Sequence, residues 1–240
     1  MRNPFRSTCL LAITLILSMS GARAEIAERF DAGAAGWSAV DLATGINGNS
    51  AYTSVGTPTV LSYLTTGGNP GGYIQAADPS DQSFFFQASS AFLGDLSGYM
   101  AGSLSFDTYY TPTDNSWRGD PDVILSNGAT TLFYQGAANP GATWTHVNVN
   151  LAPGAGWSVG SFGGAAASAT DFADVLASVT LLRISGEYYA GVAETTGLDN
   201  VVLSAVPEPG VWIMSMAGLV VLGWRLRTDK RGSFQMRSIP

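Results

Sequence analysis

Short runs that either alternate hydrophobic with polar residues or are continuously apolar recur along residues 25–205 of this 240-residue chain. They are rich in β-branched and aromatic side chains, as is typical of β-strands, and they cover residues 60–64, 73–76, 84–87, 103–110, 123–125, 131–134, 147–151, 179–185 and 198–203. Turn sequences rich in Gly, Asn and Pro separate them, at residues 67–72, 127–128 and 139–141. The pattern therefore predicts a series of short strands joined by turns.

One segment has helical spacing instead. Phe172, Val175 and Leu176 fall on one face at positions i, i+3 and i+4, and Thr170 just before them is a good N-cap residue. Because helices do not alternate regularly with strands along the chain, a parallel α/β sheet is excluded. We predict an all-β fold, a jelly-roll β-sandwich with one short helix, over residues 25–205.

Residues 1–24 have the pattern of a secretory signal peptide. Arg2 and Arg6 precede an apolar run over residues 9–19, and the segment ends in Ala22-Arg23-Ala24. A basic start, a short apolar run and an Ala-x-Ala ending are typical of a cleaved signal. We predict cleavage after Ala24; an uncleaved anchor is the alternative, although the run is short for a span of roughly 20 residues.

Residues 206–240 have the pattern of a membrane-directed tail. An apolar segment over residues 210–224 predicts a short transmembrane helix, and the basic residues behind it place the preceding domain outside the cytoplasm. An ordinary tail anchor and a buried core helix are the alternatives. The residues that flank the segment are Pro207, Glu208 and Pro209 before it, and Arg225 and Arg227 after it.

This combination of Pro-Glu-Pro, a short apolar helix and terminal arginines resembles the PEP-CTERM sorting signal of Gram-negative bacteria. The resemblance implies an exosortase, an integral-membrane transpeptidase, as the partner that removes the tail from an inner-membrane intermediate. It also implies delivery to the cell surface or extracellular matrix, in species that make exopolysaccharide and live in biofilms. Residues 228–240 follow the arginines, which is a longer end than such signals usually have.

The charge of the middle segment limits the classes of function. Residues 25–206 contain three basic and sixteen acidic residues, with no lysine, for a net charge of −13. A nucleic-acid-binding domain needs the opposite sign to neutralise phosphates, so nucleic acid is excluded as a partner. With 46% hydrophobic residues, the chain has ample material for a core. The only cysteine, Cys9, lies in the predicted signal peptide.

The order of short motifs between residues 30 and 203 resembles the laminin B (laminin IV type A) domain. The most specific motifs are Gly68-Asn-Pro-Gly-Gly-Tyr73 and Leu198-Asp-Asn-Val201. The others are Phe30-Asp31, Gly36-Trp37, residues 91–95, 102–106 and 122–125, Trp144-Thr145 and residues 177–188. The resemblance implies a jelly-roll sandwich akin to galactose-binding-like modules, and it indicates the fold more than an activity.

Catalysis has little support in the sequence. No Gly-x-Ser-x-Gly elbow is present, and alternation places the only histidine, His146, on the sheet surface opposite Val147 and Val149. Paired carboxylates, as in glycosidases, are the remaining enzymatic route, with candidates at Asp114, Asp120, Asp122 and Glu187. We predict that the protein is not an enzyme, with a glycan-active hydrolase as the alternative.

A structural Ca²⁺ is one predicted cofactor. Jelly-roll modules often hold Ca²⁺ where their first and last strands meet; Asp31 near the start of the domain and Asp199 near its end would supply carboxylates there, and backbone carbonyls would complete the six to eight oxygen ligands. The alternative is that Asp31 caps a turn and Asp199 binds its own backbone. No EF-hand loop pattern is present.

Polysaccharide is the predicted ligand. Exposed aromatic rings beside amide and charged partners would stack on sugars, and the candidates are Trp117, Asn115, Arg118 and Tyr188, followed by Tyr109, Tyr110 and Tyr189. Packing in the core or rim is the alternative for each ring. The sequence as a whole thus predicts an exported, non-catalytic protein that binds polysaccharide or another matrix component, or else a scaffold that binds protein.

Overall fold

The computed structural model describes residues 23–42, 52, 56–80, 82–111, 119–136, 139–154, 156–189 and 194–206. Most of the predicted signal peptide and nearly all of the predicted sorting tail, including the predicted helix over residues 210–224, lie outside these ranges. Within the described ranges, no helix is long and apolar enough to span a membrane.

Fourteen strands and one α-helix make up the described part of the chain. The strands of the first sheet are β1 (Ile26–Glu28), β4 (Leu61–Gly68), β5 (Gly71–Ala77), β7 (Ser103–Tyr110), β10 (Thr145–Asn150) and β14 (Thr195–Ser204). Those of the second sheet are β2 (Ser38–Leu42), β3 (Thr57–Thr59), β6 (Ser83–Gln87), β8 (Val123–Ser126), β9 (Thr131–Tyr134), β11 (Trp157–Val159), β12 (Ala165–Ala166) and β13 (Leu181–Ser185). The helix is α1 (Ala169–Leu176).

The two sheets are antiparallel and pack face to face. The first has the order β10-β7-β14-β5-β4, with β1 paired to β14, and the second has the order β12-β11-β9-β8-β13-β6-β2-β3. Their inner faces enclose one large apolar core that includes Ile74, Phe84, Phe106 and Leu198. The predicted all-β sandwich with one helix is therefore confirmed.

The helix begins earlier than predicted. Ser168, not Thr170, is the N-cap: its hydroxyl accepts a hydrogen bond from the Asp171 amide, and the Asp171 carboxylate accepts one from the Ser168 amide. This reciprocal pair satisfies two amides at the helix start, which a cap at Thr170 would not do. The apolar face then buries Phe172, Val175 and Leu176 in the main core, as predicted.

The outer faces of the two sheets differ. On the second sheet, a smaller apolar cluster of Val40, Leu42, Tyr52, Phe85, Ile124 and Phe133 is buried on the outer side. On the first sheet, the outward positions of β10 are polar and exposed, at His146, Asn148 and Asn150. The first sheet therefore offers the more open surface for a ligand.

Candidate functional site

The candidate site is the outer face of the first sheet. Because side chains alternate along a strand, Leu104 and Phe106 of β7 point into the core while Asp107 and Tyr109 point outward. The register places Tyr109 opposite Gly197, and Gly197 opposite Gln75. The face is thus built across four adjacent strands. Its residues are His146 on β10, Asp107 and Tyr109 on β7, Gly197 and Asp199 on β14, and Tyr73 and Gln75 on β5.

An aromatic cluster of Tyr73, Tyr109 and Trp144 lies on this face. Trp144 meets both tyrosine rings edge to face, with ring centroids 5.3 Å from Tyr73 and 4.6 Å from Tyr109. Its indole N–H donates to the carbonyl of Gly67 at 2.9 Å. Trp144 and Tyr109 are only partly buried, so each presents part of its ring to solvent.

Gln75 holds the two tyrosines in place. The hydroxyls of Tyr109 and Tyr73 both donate to its side-chain oxygen, at 2.8 Å and 3.1 Å. Burial, followed by the neighbouring Tyr73 hydroxyl, raises the pKa of Tyr109 well above its usual value. The hydroxyl therefore stays protonated as a donor to Gln75, and the hydrogen bonds and ring contacts hold the cluster in place in the absence of a ligand.

Gly197 makes room for this arrangement. A Cβ at position 197 would lie 2.2 Å from Cε1 of Tyr109 and 2.8 Å from its Cδ1. The ring of Tyr109 therefore crosses β14 directly above Gly197 on its way to Gln75. Any side chain at this position would push the ring away from its hydrogen-bond partner.

Beside the aromatic cluster, Asp107 and Asp199 face each other across β7 and β14. Both are buried, with relative exposures of 5% and 0%. The register of β14 shifts just after Asp199, where Asn200 takes a left-handed φ of 48°. This bulge turns the side-chain amide of Asn200 toward Asp107, and its Nδ2 donates a hydrogen bond to the Asp107 carboxylate at 2.8 Å.

Amide groups satisfy the two buried carboxylates. Asp199 accepts from the backbone N–H groups of Asn69 and Asn200, at 2.6 Å and 2.7 Å. Asp107 accepts from the side-chain amide of Asn69 at 3.1 Å. Asn69 and Asp199 belong to the two sequence motifs that carry the laminin B resemblance, so these motifs meet in one hydrogen-bonded network.

Burial is the main cause that raises the pKa of Asp199, and the carboxylates of Asp107 and Asp31 raise it further. The two backbone N–H bonds act in the opposite direction. Asp31 is thus close enough to influence Asp199, as the calcium hypothesis requires. However, both oxygens of Asp199 already accept N–H bonds, so the donor set fits calcium only in part. Across the described residues, no group of three or more His, Cys, Asp or Glu could hold a metal ion.

The histidine lies on the surface, as predicted. The side chain of His146 is 63% exposed and its Nδ1 lies 2.7 Å from Oδ1 of Asp107. It therefore borders the candidate face and shares the carboxylate network.

The ligand-binding residues predicted from sequence are described only in part. Trp117, Asn115 and Arg118 fall outside the described residues. Tyr188 is only 3% exposed and packs against Tyr110, so its ring has little surface on which a sugar could stack.

Three of the four carboxylates named as candidates for the enzymatic alternative are described, and each accepts a hydrogen bond within the fold. Asp120 accepts from Tyr52 at 2.7 Å, and Glu187 accepts from the Phe84 amide at 3.0 Å. Both are buried. Burial raises the pKa of Asp122 to about 6, and the Gly136 amide, which donates to it, opposes this shift. Asp114 lies outside the described residues.

Sequence reasoning missed Tyr73, Gln75 and Trp144 as site residues. Tyr73 and Gln75 do alternate with the core residues Ile74 and Ala76, which signals an outward position. Nothing in the sequence shows that Trp144, some seventy residues later, lies against them.

Comparison with known proteins supports the fold. The family model of laminin B (Domain IV) matches residues 85–211. Among solved structures, the L4b domain of human laminin α2 is similar over 77% of this chain and 98% of its own, with a TM-score of 0.56 and 12% identity. A family 11 carbohydrate-binding module of the cellulase Lic26A-Cel5E of Clostridium thermocellum is similar over 78% of this chain and 98% of its own, with a TM-score of 0.46 and 13% identity. The CBM22-1 xylan-binding domain of Paenibacillus barcinonensis Xyn10C covers 76% of this chain and 94% of its own, with a TM-score of 0.40 and 11% identity. No curated protein sequence matches the chain.

Proposed function

Because the chain belongs to the laminin B (Domain IV) family, we propose that it is a non-catalytic binding module and that the outer face of its first sheet binds polysaccharide. The observation that carries the proposal is the rigid, partly exposed aromatic cluster of Tyr73, Tyr109 and Trp144 on that face. Aromatic rings that are fixed in advance bind with little loss of conformational entropy. Amide and hydroxyl groups around them match the hydroxyls of a sugar.

The shape of the site favours a polymer over a small molecule. In the described part of the chain, the face extends from Gln75 and Ser62 at one side to the exposed Asn148 and Asn150 on the edge strand β10. An extended chain of sugars can lie across several strands and contact many weak donors at once. A single small ligand would meet only part of this surface.

Affinity electrophoresis of the full chain in gels that contain soluble polysaccharides tests the proposal. We expect at least one polymer to retard the protein, and Trp144→Ala to weaken the retardation. Loss of a central aromatic contact typically costs about 2 kcal/mol, which corresponds to about 30-fold in Kd. A Tyr109→Phe variant, which keeps the ring but loses the bond to Gln75, should show a smaller loss.

Phe162→Ala is the matched control. Phe162 is also partly buried, but it packs against the apolar cluster on the outer side of the second sheet. It should leave retardation unchanged once near-UV circular dichroism shows that the variant is folded. Equal losses for Trp144→Ala and Phe162→Ala would contradict the assignment of the face. A parallel glycanase assay addresses the hydrolase alternative, and we expect no sugar release.

We also propose that the protein is exported and sorted by an exosortase. The support is the sequence alone, in the signal-peptide pattern of residues 1–24 and the pattern of residues 206–240. The Pro207-Glu208-Pro209 segment should stay extended, because proline disfavours helix in the residue before it. Such a segment is accessible to a transpeptidase, while Arg225 and Arg227 keep the far end of the tail in the cytoplasm.

Replacing residues 207–209 by alanines in the native host tests this sorting. We expect full-length protein to accumulate in the inner-membrane fraction instead of at the cell surface or in the matrix. If the altered and native chains are processed and released identically, a simple tail anchor replaces the sorting signal.

Structural calcium at Asp31 and Asp199 is a separate proposal. It is supported by the influence of Asp31 on the pKa of Asp199 and by the oxygen-rich loop in which the hydroxyl of Tyr63 donates to the Asp31 carbonyl at 3.0 Å. The ion would add positive charge between carboxylates that otherwise repel each other.

A further inference from the structure

The distribution of charge indicates which class of polysaccharide this face accepts. We infer that the ligand is an uncharged polysaccharide and that polymers carrying uronate or sulfate groups are excluded. This inference rests on the proposed binding function and adds the chemical class of the ligand. It follows from where the few cations and the buried carboxylates lie.

Cations are scarce in the described part of the chain, and each of them has a partner within the protein. The described part of the chain contains no lysine and three arginines, Arg23, Arg29 and Arg183. Arg23 lies over the ring of Tyr99 and near Asp95, and Arg29 lies 3.4 Å from the carboxylate of Glu25. Arg23 precedes β1 of the first sheet and Arg29 directly follows it, and each of the two guanidinium groups has an acidic neighbour.

The third arginine is on the opposite side of the sandwich. Arg183 is in β13 of the second sheet and is 2% exposed. Its guanidinium donates to the side-chain oxygen of Gln87 at 2.9 Å and to the carbonyl of Tyr52. It cannot reach a ligand on the first sheet, so among the described residues no arginine presents an unpaired guanidinium there to a carboxylate or sulfate.

Negative charge lies directly under the face. Asp107 and Asp199 are buried next to the aromatic cluster, where the surrounding protein screens them less than water would. Among the residues that the structure describes, the basic side chain beside them is the imidazole of His146, and its Nδ1 is already directed to Asp107. Where no Ca²⁺ is bound, an anionic polymer would therefore meet repulsion that no unpaired cation of the described residues offsets.

The remaining groups suit a neutral polymer. Asn148 and Asn150 project from the exposed edge strand opposite Ser105 and Ser103, and Gln75 lies under the tyrosines. Amides and hydroxyls both donate and accept hydrogen bonds, as sugar hydroxyls do. Together with the aromatic rings, they can bind a sugar chain without any charge pairing.

The experiment compares polymers that share a backbone but differ in charge. The full chain is titrated at low salt with two matched pairs, each a neutral polymer and its anionic counterpart: hydroxyethyl cellulose with carboxymethyl cellulose, and dextran with dextran sulfate. A wider panel compares neutral glucans, xylans, mannans and galactans with the anionic polymers polygalacturonate and alginate. We expect binding to at least one neutral polymer, and at least tenfold weaker binding to every anionic one. Added salt should reduce the difference in affinity between neutral and anionic polymers, because it screens the repulsion between the anionic polymer and the protein.

The outcomes distinguish failure of the inferred ligand class from failure of the proposed binding function. Binding to an anionic polymer as tight as to any neutral one, with or without added Ca²⁺, overturns the inference and leaves the binding function standing. Binding to no polymer of either kind refutes the proposed function itself.

Charge substitutions on the edge strand β10 test whether electrostatic repulsion at this face excludes anionic polymers. An Asn148→Lys, Asn150→Lys double variant places two cations on the outer face, and it should strengthen binding to anionic polymers at least threefold. Val60→Lys is the control, since Val60 is 80% exposed and precedes β4 at the opposite edge of the sheet. If both variants change the selectivity equally, net charge alone is responsible and the face is not the site of exclusion.

Discussion

Gly197→Ala should destabilise the domain and weaken binding, because it drives the Tyr109 ring from its place. The new Cβ would lie 2.2 Å from Cε1 and 3.0 Å from Cζ of that ring, whereas carbon atoms in contact normally lie about 3.5–4.0 Å apart. Trp144 packs against the ring on its outer side, with centroids 4.6 Å apart. The ring must therefore shift by roughly 1 Å or more, and Trp144 must move with it.

The free energy of unfolding that Gly197→Ala removes is the sum of three contributions. Overpacking of this kind costs about 1–3 kcal/mol, and loss of the Tyr109–Gln75 hydrogen bond costs about 1 kcal/mol. Replacing glycine by alanine recovers about 0.4–1 kcal/mol from the unfolded chain. The net loss in free energy of unfolding is then about 2 kcal/mol, or roughly 4–8 °C in Tm for a domain of this size.

Urea unfolding of a double-mutant cycle measures this coupling. In a Tyr109→Ala background the clash is absent, so Gly197→Ala should cost less than about 0.5 kcal/mol. A coupling energy above about 1 kcal/mol supports the described packing. If Gly197→Ala costs the same with and without the Tyr109 ring, or if the single variant is as stable as the native chain, the packing of the face is wrong.

Three further predictions concern the helix cap, a buried acid and calcium. Ser168→Ala should lower the free energy of unfolding by about 1 kcal/mol in urea titrations, while the control Thr170→Ala should change it by less than about half of that; equal effects would contradict the capping box. The pKa of Asp122 is about 6 in the folded chain against an ordinary value of 3.8 for a solvated aspartate, so the proton is bound more tightly when the protein is folded, and stability should fall as pH rises from about 4 to 6. Asp122→Asn should remove this fall and raise stability at pH 7 by up to roughly 2–3 kcal/mol; an unaltered pH profile of urea midpoints would refute it. Ca²⁺ should raise Tm in proportion to the logarithm of its concentration and Asp31→Asn should abolish the rise; a Tm that chelator does not change would remove the calcium proposal.

Strands that alternate, or that are continuous runs of β-branched and aromatic residues, were the ones that sequence could predict. The segments Ser103–Tyr110 and Thr131–Tyr134 have the predicted bounds, since one side of each faces the main core. The strand Ser38–Leu42 was not predicted. Ala39 lies in the main core, while Val40 and Leu42 lie under Tyr52 on the outer side, so burial on both faces removes the alternation.

The site was harder to predict than the fold. Two of its motifs, around Asn69 and Asp199, stood out in the sequence, but their contact depends on a bulge at Asn200 that no local pattern reveals. Likewise, the sequence offers several aromatic residues of similar appearance. Only the strand register shows that Tyr109 crosses Gly197 to reach Gln75.

Side-chain footprinting by hydroxyl radicals, with and without a polysaccharide that retards the protein, tests the central claim most directly. It reports where on the full chain the polymer lies, because aromatic side chains are oxidised only where solvent reaches them. We predict protection of Trp144 and Tyr109 on ligand addition, with no change at Phe162 on the other sheet. Protection confined to Trp117, or to residues of the second sheet, would place the ligand elsewhere and contradict the assignment of binding to the outer face of the first sheet.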